Sequence, residues 1–478
     1  MIGSYELAVI GAGPAGMKAA ITASQDGVRT VVIDSFLQPG GQYFMQAPVE
    51  YKPLGQTQTE KTGKELIQQF SSSPLTIFKG TLTWGIFKEE NEEEWLIALF
   101  GDSETKFIRS KNIVLATGAY DTPIAFPGWT LPGVITCGAA LILLKSHRIA
   151  PGTRAIVTGT GPLILSVSAH LLEAGVNVLA ICESNTILPK GIGHAPTMLS
   201  HMHRLKEGAK YMNVILKNKA PYKTGWSINR AEGNDHVEKA FISKVDKKGI
   251  PFLASQVEHQ VDLVVSGYSL TPNTGLARMI GCEMDYQADR GGWVPSRNEK
   301  MQSSISGIFI VGDGAGIGGA ENAEIEGQIA GNEIALRTGH INLKTGQERF
   351  QELQPRLRNQ KRFGKLYGDL FTPKPGLISL ANDDTILCRC EEVTLGEVKK
   401  AVAMGAKTIG EVKMITRSGM GNCQGRMCEH SITGAIVKAL SAELATFKTV
   451  GFNSIRPPLH PLPVNFLAEV QKELDVTE

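Results

Sequence analysis

The sequence has no surplus of one charge, no long apolar run and no pairable set of cysteines, and each lack removes a class of protein. Lys plus Arg number 49 against 47 Asp plus Glu, a formal net charge of +2. That balance gives no field for coating a polyanion and argues against nucleic acid as a partner. No apolar stretch reaches the ~18 residues needed to cross a bilayer, so no transmembrane segment is expected. The amino terminus does not read as a secretory leader, because Glu6 interrupts it and Leu7–Ile10 runs straight into a glycine motif. Seven cysteines, an odd number with four crowded between 388 and 428, do not suggest a secreted disulfide framework. The compartment expected is the cytoplasm, with the inner membrane reached only peripherally.

Glycine is what the chain has in excess: 52 of 478 residues, about 11% against a usual 7% or so. The glycines gather at the ends of apolar runs, as turns around ligands do. With 42% apolar and 20% charged residues the chain is an ordinary globular one, and its length predicts about three domains. Tyr5–Ile10 and Thr30–Asp34 read as buried parallel strands flanking an Ala-rich helix from Pro14 to Gln25, a βαβ opening. A second opening lies further on: strand Arg154–Thr158, helix Pro162–Ala174, strand Asn177–Glu183. Strands at Asn112–Ala116, Leu263–Ser266 and Gly307–Val311 and a helix near Glu321–Arg337 complete the pattern. The fold class is therefore α/β with two Rossmann-like dinucleotide-binding units.

Gly11-Ala12-Gly13-Pro14-Ala15-Gly16 lies between strand and helix, the context this motif requires. Gly11 permits the turn, Gly13 lets backbone approach a pyrophosphate, and Gly16 lets helix and strand close up. The anion would rest on the helix amino terminus, where N–H groups are unpaired. Asp34, at the end of the second strand, is placed to accept from ribose hydroxyls. Gly40-Gly41-Gln42, Ala116-Thr117-Gly118 and the Gly312-Asp313 that ends Gly307–Val311 come next. Together these segments resemble the two-dinucleotide-domain flavoproteins, such as thioredoxin and ferredoxin reductases. The resemblance implies FAD in the first unit, with Asp313 on the ribityl chain and Gln42 lining the flavin.

Two departures stand out. Gly159-Thr160-Gly161-Pro162-Leu163-Ile164 puts Ile where the third glycine belongs, and a branched side chain there should push the helix off the strand. Glu183, placed as Asp34 is, would repel a ribose 2′-phosphate, so NADPH is not expected. NAD, ATP or an empty fold remain open, with Gly159, Gly161 and Glu183 as the contacts. Cys137-Gly138-Ala139-Ala140 keeps the first cysteine of a thioredoxin reductase pair but has alanine at the second. One thiol closes no internal disulfide, so Cys137, Cys182 and Cys282 are read as core residues. His194, His201 and His203, lacking a neighbouring acid or thiol, are read as ordinary surface histidines.

Cys388-Arg389-Cys390 is followed by Cys423-Gln424-Gly425-Arg426-Met427-Cys428. Four thiolates can hold zinc or an iron–sulfur cluster. The tight C-x-C fits zinc knuckles poorly. Gly419, Gly421 and Gly425 leave N–H groups free for sulfur, and Arg389, Arg417 and Arg426 would offset an anionic cluster. These features favour [2Fe–2S] over zinc or free thiols.

Ala116–Tyr120, Phe126-Pro127-Gly128-Trp129-Thr130-Leu131-Pro132-Gly133-Val134, the Gly159 turn and Thr416-Arg417-Ser418-Gly419-Met420-Gly421 carry a wider resemblance. The chain resembles the FAD-containing α (A) subunit of heteromeric amine dehydrogenases, which include dye-linked L-proline and D-hydroxyproline dehydrogenases, opine oxidases and hydrogen cyanide synthase. Its C-terminal part is similar to bacterioferritin-associated-ferredoxin-like [2Fe–2S] domains. The resemblance implies that a β-type FAD subunit oxidises an amino-acid, imino-acid or opine C–N bond and that electrons leave for a quinone or dye. It also allows an FMN at a subunit interface and a small ferredoxin-like γ subunit. Consistently, no residue pattern for substrate acid–base or nucleophilic work is found here.

The expected division is 1–120 with 285–345 for FAD, 121–284 for the second nucleotide fold, 346–376 as a helical linker, 377–445 for the cluster and 446–478 as an extended tail. The alternatives are a stand-alone NADH-dependent reductase of a ferredoxin-type acceptor and a non-catalytic assembly subunit.

Overall fold

The computed structural model describes residues 3–47, 58–88, 92–101, 105–186, 194–441 and 445–475. The first sheet grows from short apolar segments that glycine turns interrupt. Its strands are β1 (Gly3–Ile10), β2 (Thr30–Ile33), β3 (Thr76–Phe78), β4 (Leu82–Lys88), β5 (Trp95–Phe100) and β6 (Phe107–Leu115), in the order β3-β2-β1-β6-β5-β4. Leu7 to Ile10 pair in parallel with Thr30 to Ile33, and the late strand Ile308–Ile310 returns to pair with β6. All four residues of β2 are buried, as expected of a parallel strand covered on both faces. Helix α1 (Pro14–Gln25) starts on a proline, whose missing N–H costs nothing at a first turn. Helix α2 (Gln58–Ser72) lies beside α1.

The chain leaves this sheet along β7 (Ala119–Thr122), adds β8 (Val134–Thr136) and builds a second βαβ unit from β9 (Arg154–Gly159), helix α3 (Pro162–Glu173) and β10 (Asn177–Glu183). Helix α4 (Met202–Lys217), β11 (Tyr222–Thr224) and β12 (Leu263–Gly267) come after it, giving the parallel order β11-β10-β9-β12-β8. The return passes through β13 (Ser269–Pro272), antiparallel to β7. These two strands are the double crossing between the units.

Helix α5 (Ala320–Arg337) crosses α1 at close quarters: a Cβ on Gly327 would stand 2.2 Å from the Ala15 carbonyl oxygen. Helix α6 (Leu343–Phe371) is a single 29-residue rod with Pro355 inside it. Beyond it α7 (Leu395–Ala403), α8 (Ile409–Thr416) and α9 (Glu429–Leu440) form a small helical domain, the first two opened by Thr–Glu capping boxes. The fold is thus α/β, two Rossmann-like units plus a helical C-terminal domain.

The expected extended tail is only partly so. Phe447–Val450 is helical, and α10 (Val464–Asp475) closes the described chain. Phe466 and Val470 sit four apart on one helix face, which packs on Trp84 and Phe100 of the first unit; the Phe100 and Phe466 rings are 4.7 Å apart. Proline content dominates the reading of 457–463, but apolar spacing decides the conformation of 464–475. Between the two helices Leu459 donates its N–H to the Trp84 carbonyl at 2.8 Å, so the strap binds its own chain. No described helix is long and apolar enough to cross a membrane.

Candidate functional site

Glycine geometry shapes the first cradle. Gly11 has φ +104°, and a Cβ there would lie 2.4 Å from the Ala116 carbonyl oxygen; one on Gly16 would lie 1.8 Å from that of Gly11. Gly13 faces open space, which is the room a pyrophosphate over the α1 terminus needs. Pro14 and Ala15 form the first turn, and Gly41 backs against Gly13. Asp34, 6% exposed, ties this loop: one oxygen accepts from the Ala12 N–H and the other from Phe36 N–H at 2.7 Å. Burial pushes its carboxyl upward while those two bonds oppose the shift. Gln42 is exposed at the same rim.

Two more turns converge there. Thr117 donates to the Asn273 carbonyl at 2.6 Å, and Gly118 (φ +68°) faces open space. A Cβ on Gly314 would meet Thr117 Oγ1 at 2.8 Å, and one on Gly312 would meet Ala15 Cβ at 2.9 Å. Asp313 Oδ1 accepts from the Gly318 and Gly319 N–H groups at 2.9 and 3.0 Å. Its second oxygen is left for a ligand hydroxyl. Burial raises its carboxyl above the ordinary range, against those two bonds. The turn itself hangs on a buried ion pair, in which Arg297 grips both oxygens of Glu326 and Glu326 accepts from Gly312 N–H at 2.8 Å. Open backbone at Gly13 and Gly118, with Asp34 and Asp313 at the two ends, fits FAD.

The second cradle is closed. Ile164 does not need the displaced helix expected of it: it is fully buried, and the space for its Cγ2 comes from Gly159, where a Cβ would stand only 2.8 Å away. Gly161 N–H donates to Glu183 at 2.8 Å, and the other Glu183 oxygen accepts from Asn185 N–H at 2.8 Å.

The four cysteines meet between α7, α8 and α9. Cys388 and Cys428 are buried, Cys423 half-buried and Cys390 exposed. Cys428 lies in hydrogen-bonding reach of both Cys388 and Cys423, and Cys390 of Cys423. Cys428 brings the Cys388 thiol down to about 6, and backbone N–H groups of Gly419, Glu391 and Cys390 help. The same partner brings Cys423 to about 5, while Cys428 is itself pushed up by both. A Cβ on Gly421 would collide with Cys390 Cβ at 2.3 Å, so glycine there has a steric cause. Among the described residues no group of three or more such side chains is placed to hold a metal ion, but these contacts link the four thiols, Gly419 N–H points at Cys388 Sγ at 3.4 Å, and four thiolates are the donor set of a [2Fe–2S] cluster. The expected arginine screen differs. Arg417 pairs with Glu391 at 3.1 Å, Arg426 donates to His460 at 2.8 Å, and Arg389 reaches the Thr130 carbonyl at 3.4 Å.

The two sites are neighbours. A small cleft of about 30 Å³ is lined by Tyr120, Arg278, Gln424, Arg426 and Glu429. Tyr120 follows the 117–118 turn, and burial, then the Glu429 charge, holds its phenol protonated. Arg278 bonds Glu429 at 2.9 Å and Trp129 donates to the Ile386 carbonyl at 2.6 Å, fixing the small domain to the rest. A larger groove of about 400 Å³ near Glu6, Lys111 and Arg337 lies at the opposite strand ends, away from every cradle.

Sequence spacing hid the partners of the histidines. His203 meets Glu321 at 2.6 Å and His194 meets Asp369 at 3.3 Å. His201 is buried, not on the surface, with its ring on Phe363 at 4.6 Å. Cys137, Cys182 and Cys282 are buried; burial pushes the Cys182 thiol to about 12.

Comparison with known proteins agrees with this arrangement. The pyridine nucleotide-disulphide oxidoreductase family matches residues 5–327, and the BFD-like [2Fe-2S] binding domain matches 386–438. The A subunit of opine oxidase from Rhizobium meliloti (strain 1021) is 31% identical, covering 98% of this chain and 99% of its own. Hydrogen cyanide synthase subunit HcnB of Pseudomonas aeruginosa is 30% identical, covering 95% and 96%. Among solved structures, L-proline dehydrogenase from P. horikoshii superposes with a TM-score of 0.70 at 20% identity, covering 98% of this chain and 80% of that one.

Proposed function

We propose a function from one premise: the chain belongs to the pyridine nucleotide-disulphide oxidoreductase family, in the oxidoreductase branch that includes the A subunit of opine oxidase, and carries FAD and a [2Fe–2S] cluster. It is the electron-transfer subunit of a heteromeric dehydrogenase. A β-type FAD subunit oxidises the C–N bond of an amino acid, imino acid or opine of the proline or hydroxyproline kind. A small ferredoxin-like subunit, an FMN at the subunit interface and a quinone acceptor complete the assembly, which works in the cytoplasm. FAD accepts electrons in pairs and the cluster passes them singly.

The residues of this chain hold and align the two centres. Gly11, Gly13, Pro14, Ala15 and Gly16 would seat the pyrophosphate, with Asp34 on the ribose. Gly41, Gln42, Thr117, Gly118, Gly312 and Asp313 would surround the flavin and its ribityl chain. Cys388, Cys390, Cys423 and Cys428 would ligate iron. The observation that carries the reading is the continuity of the flavin turn with the cluster wall: Thr117 to Tyr120 runs into the cleft beside Gln424 and Arg426. Short separation is what electron transfer between the two centres needs.

The test is purification of the tagged chain from its own cells. A co-purifying flavoprotein, with amino-acid-dependent dye reduction that the isolated chain lacks, is expected. Oxidation of the amino acid by the isolated chain would overturn the proposal.

A further inference from the structure

The carboxyl ends of parallel strands in an open α/β sheet form the crevice where ligands bind. In the second unit that crevice already has an occupant. The last turn of α6 abuts the first turn of α3: a Cβ on Gly161 would stand 2.9 Å from the Tyr367 hydroxyl and 3.5 Å from Phe371 Cβ. Asn185 donates its side-chain amide to the Leu370 carbonyl at 3.0 Å and to the Thr372 carbonyl at 3.2 Å, and shares it with Thr160 at 3.1 Å. These carbonyls belong to a helix end, where backbone acceptors lack partners.

What sets this cradle apart from the first is the Gly161 turn, covered by Tyr367 and Phe371 where Gly13 faces open space. Both Glu183 oxygens, like those of Asp34, take backbone N–H groups of the chain itself, and Glu183 is fully buried. The Gly161 N–H, which would face a pyrophosphate, is one of those donors. Helix dipoles add to the fit, since the electronegative carboxyl end of α6 meets the electropositive amino end of α3. The turn is held by further contacts, Asp289 in the first unit and His194 in the second. A Cβ on Gly368 would touch Asp289 Cβ at 3.0 Å, and Asp369 pairs with His194 at 3.3 Å.

We propose that the second dinucleotide fold takes the carboxyl-terminal turn of α6 as its resident ligand, so that neither NAD nor ATP binds there while the turn is docked. The long charged helix is then an internal plug that separates the flavin from nicotinamide. The claim concerns occupancy of this fold and does not depend on which partner reduces the chain.

The test is equilibrium dialysis of the FAD- and cluster-loaded chain against labelled NADH and ATP at about 1 mM, the weakest range worth resolving. The wild type should bind neither. If the cradle is open in about 1% of molecules, freeing it should raise the apparent affinity about 100-fold. The double variant Asn185→Ala/Tyr367→Ala should therefore gain binding of an adenine nucleotide while keeping its FAD and iron. One equivalent of NADH or ATP on the wild type, abolished by Glu183→Gln, would overturn the proposal, as would a folded double variant that gains nothing. Should that variant fail to fold, hydrogen exchange on the wild type decides. The 368–372 amides should exchange as slowly as those of β9, and fast exchange there would refute docking. Nucleotide binding without flavin bleaching would defeat the plug and leave the proposed function standing.

Discussion

Removing the Glu326 carboxylate should release the turn that carries Asp313. Glu326 is 1% exposed and accepts four bonds: two from Arg297, at 2.9 and 2.5 Å, one from Gly312 N–H at 2.8 Å and one from Asn322 at 2.9 Å. Glu326→Ala strands the Arg297 guanidinium, itself only 9% exposed. Breaking one side of a buried pair costs about 3–5 kcal/mol, and four bonds at about 1 kcal/mol each give a similar figure. Against a total stability of about 5–15 kcal/mol, that is a large share. Replacing both partners, Arg297→Met with Glu326→Met, removes the stranded charge as well and should cost less than either single change. Burial, the largest single influence, raises the Glu326 carboxyl, but the Arg297 charge and the bonds from Arg297, Asn322 and Gly312 together outweigh it, so its folded value lies below the ordinary 4.5. The stabilisation is therefore complete above that value and is lost as pH falls through the lower folded one. Urea unfolding followed by flavin release, at neutral pH and in steps below pH 5 or so, reads both effects. A Glu326→Ala loss under about 1 kcal/mol, or a double variant as costly as the two singles summed, would refute the reasoning.

Three further outcomes are expected. Cys423→Ser should abolish cluster iron while leaving FAD bound, and unchanged iron content would remove Cys423 from the ligand set. Gly16→Val places a Cβ where 1.8 Å separates it from the Gly11 carbonyl oxygen; the overpacking should cost about 1–3 kcal/mol or more and lower FAD retention on gel filtration. Glu429→Ala leaves Arg278, 6% exposed, without its carboxylate and frees Asn453 N–H. Hydrogen exchange across α9 and oxygen bleaching of the cluster should both quicken, with FAD content unchanged.

Much of the fold was legible because its signals are local. Gly11 to Gly16 and Pro14 fix a turn and a helix start within six residues, and α1 spans the expected Pro14–Gln25. The cysteine pairs announce their own convergence. What escaped depends on contacts between distant positions. Asn185 and Leu370 are far apart in sequence, so α6 read as a linker, although its last turn fills the second cradle. Ile164 looked disruptive because its room comes partly from Gly267 on a distant strand and partly from Gly159 in its own motif, which faces it only once the turn has formed. The histidine–carboxylate pairs lie on separate helices for the same reason, and Phe466 and Val470 were masked by the prolines before them.

Anaerobic titration of the purified, fully loaded chain tests the central claim most directly. Dithionite should deliver about three electrons per chain, two to the flavin and one to the cluster, whereas NADH should leave the spectrum unchanged. Prompt bleaching of flavin and cluster by NADH alone would contradict the account, because the electrons would then enter through the second fold rather than from a partner subunit.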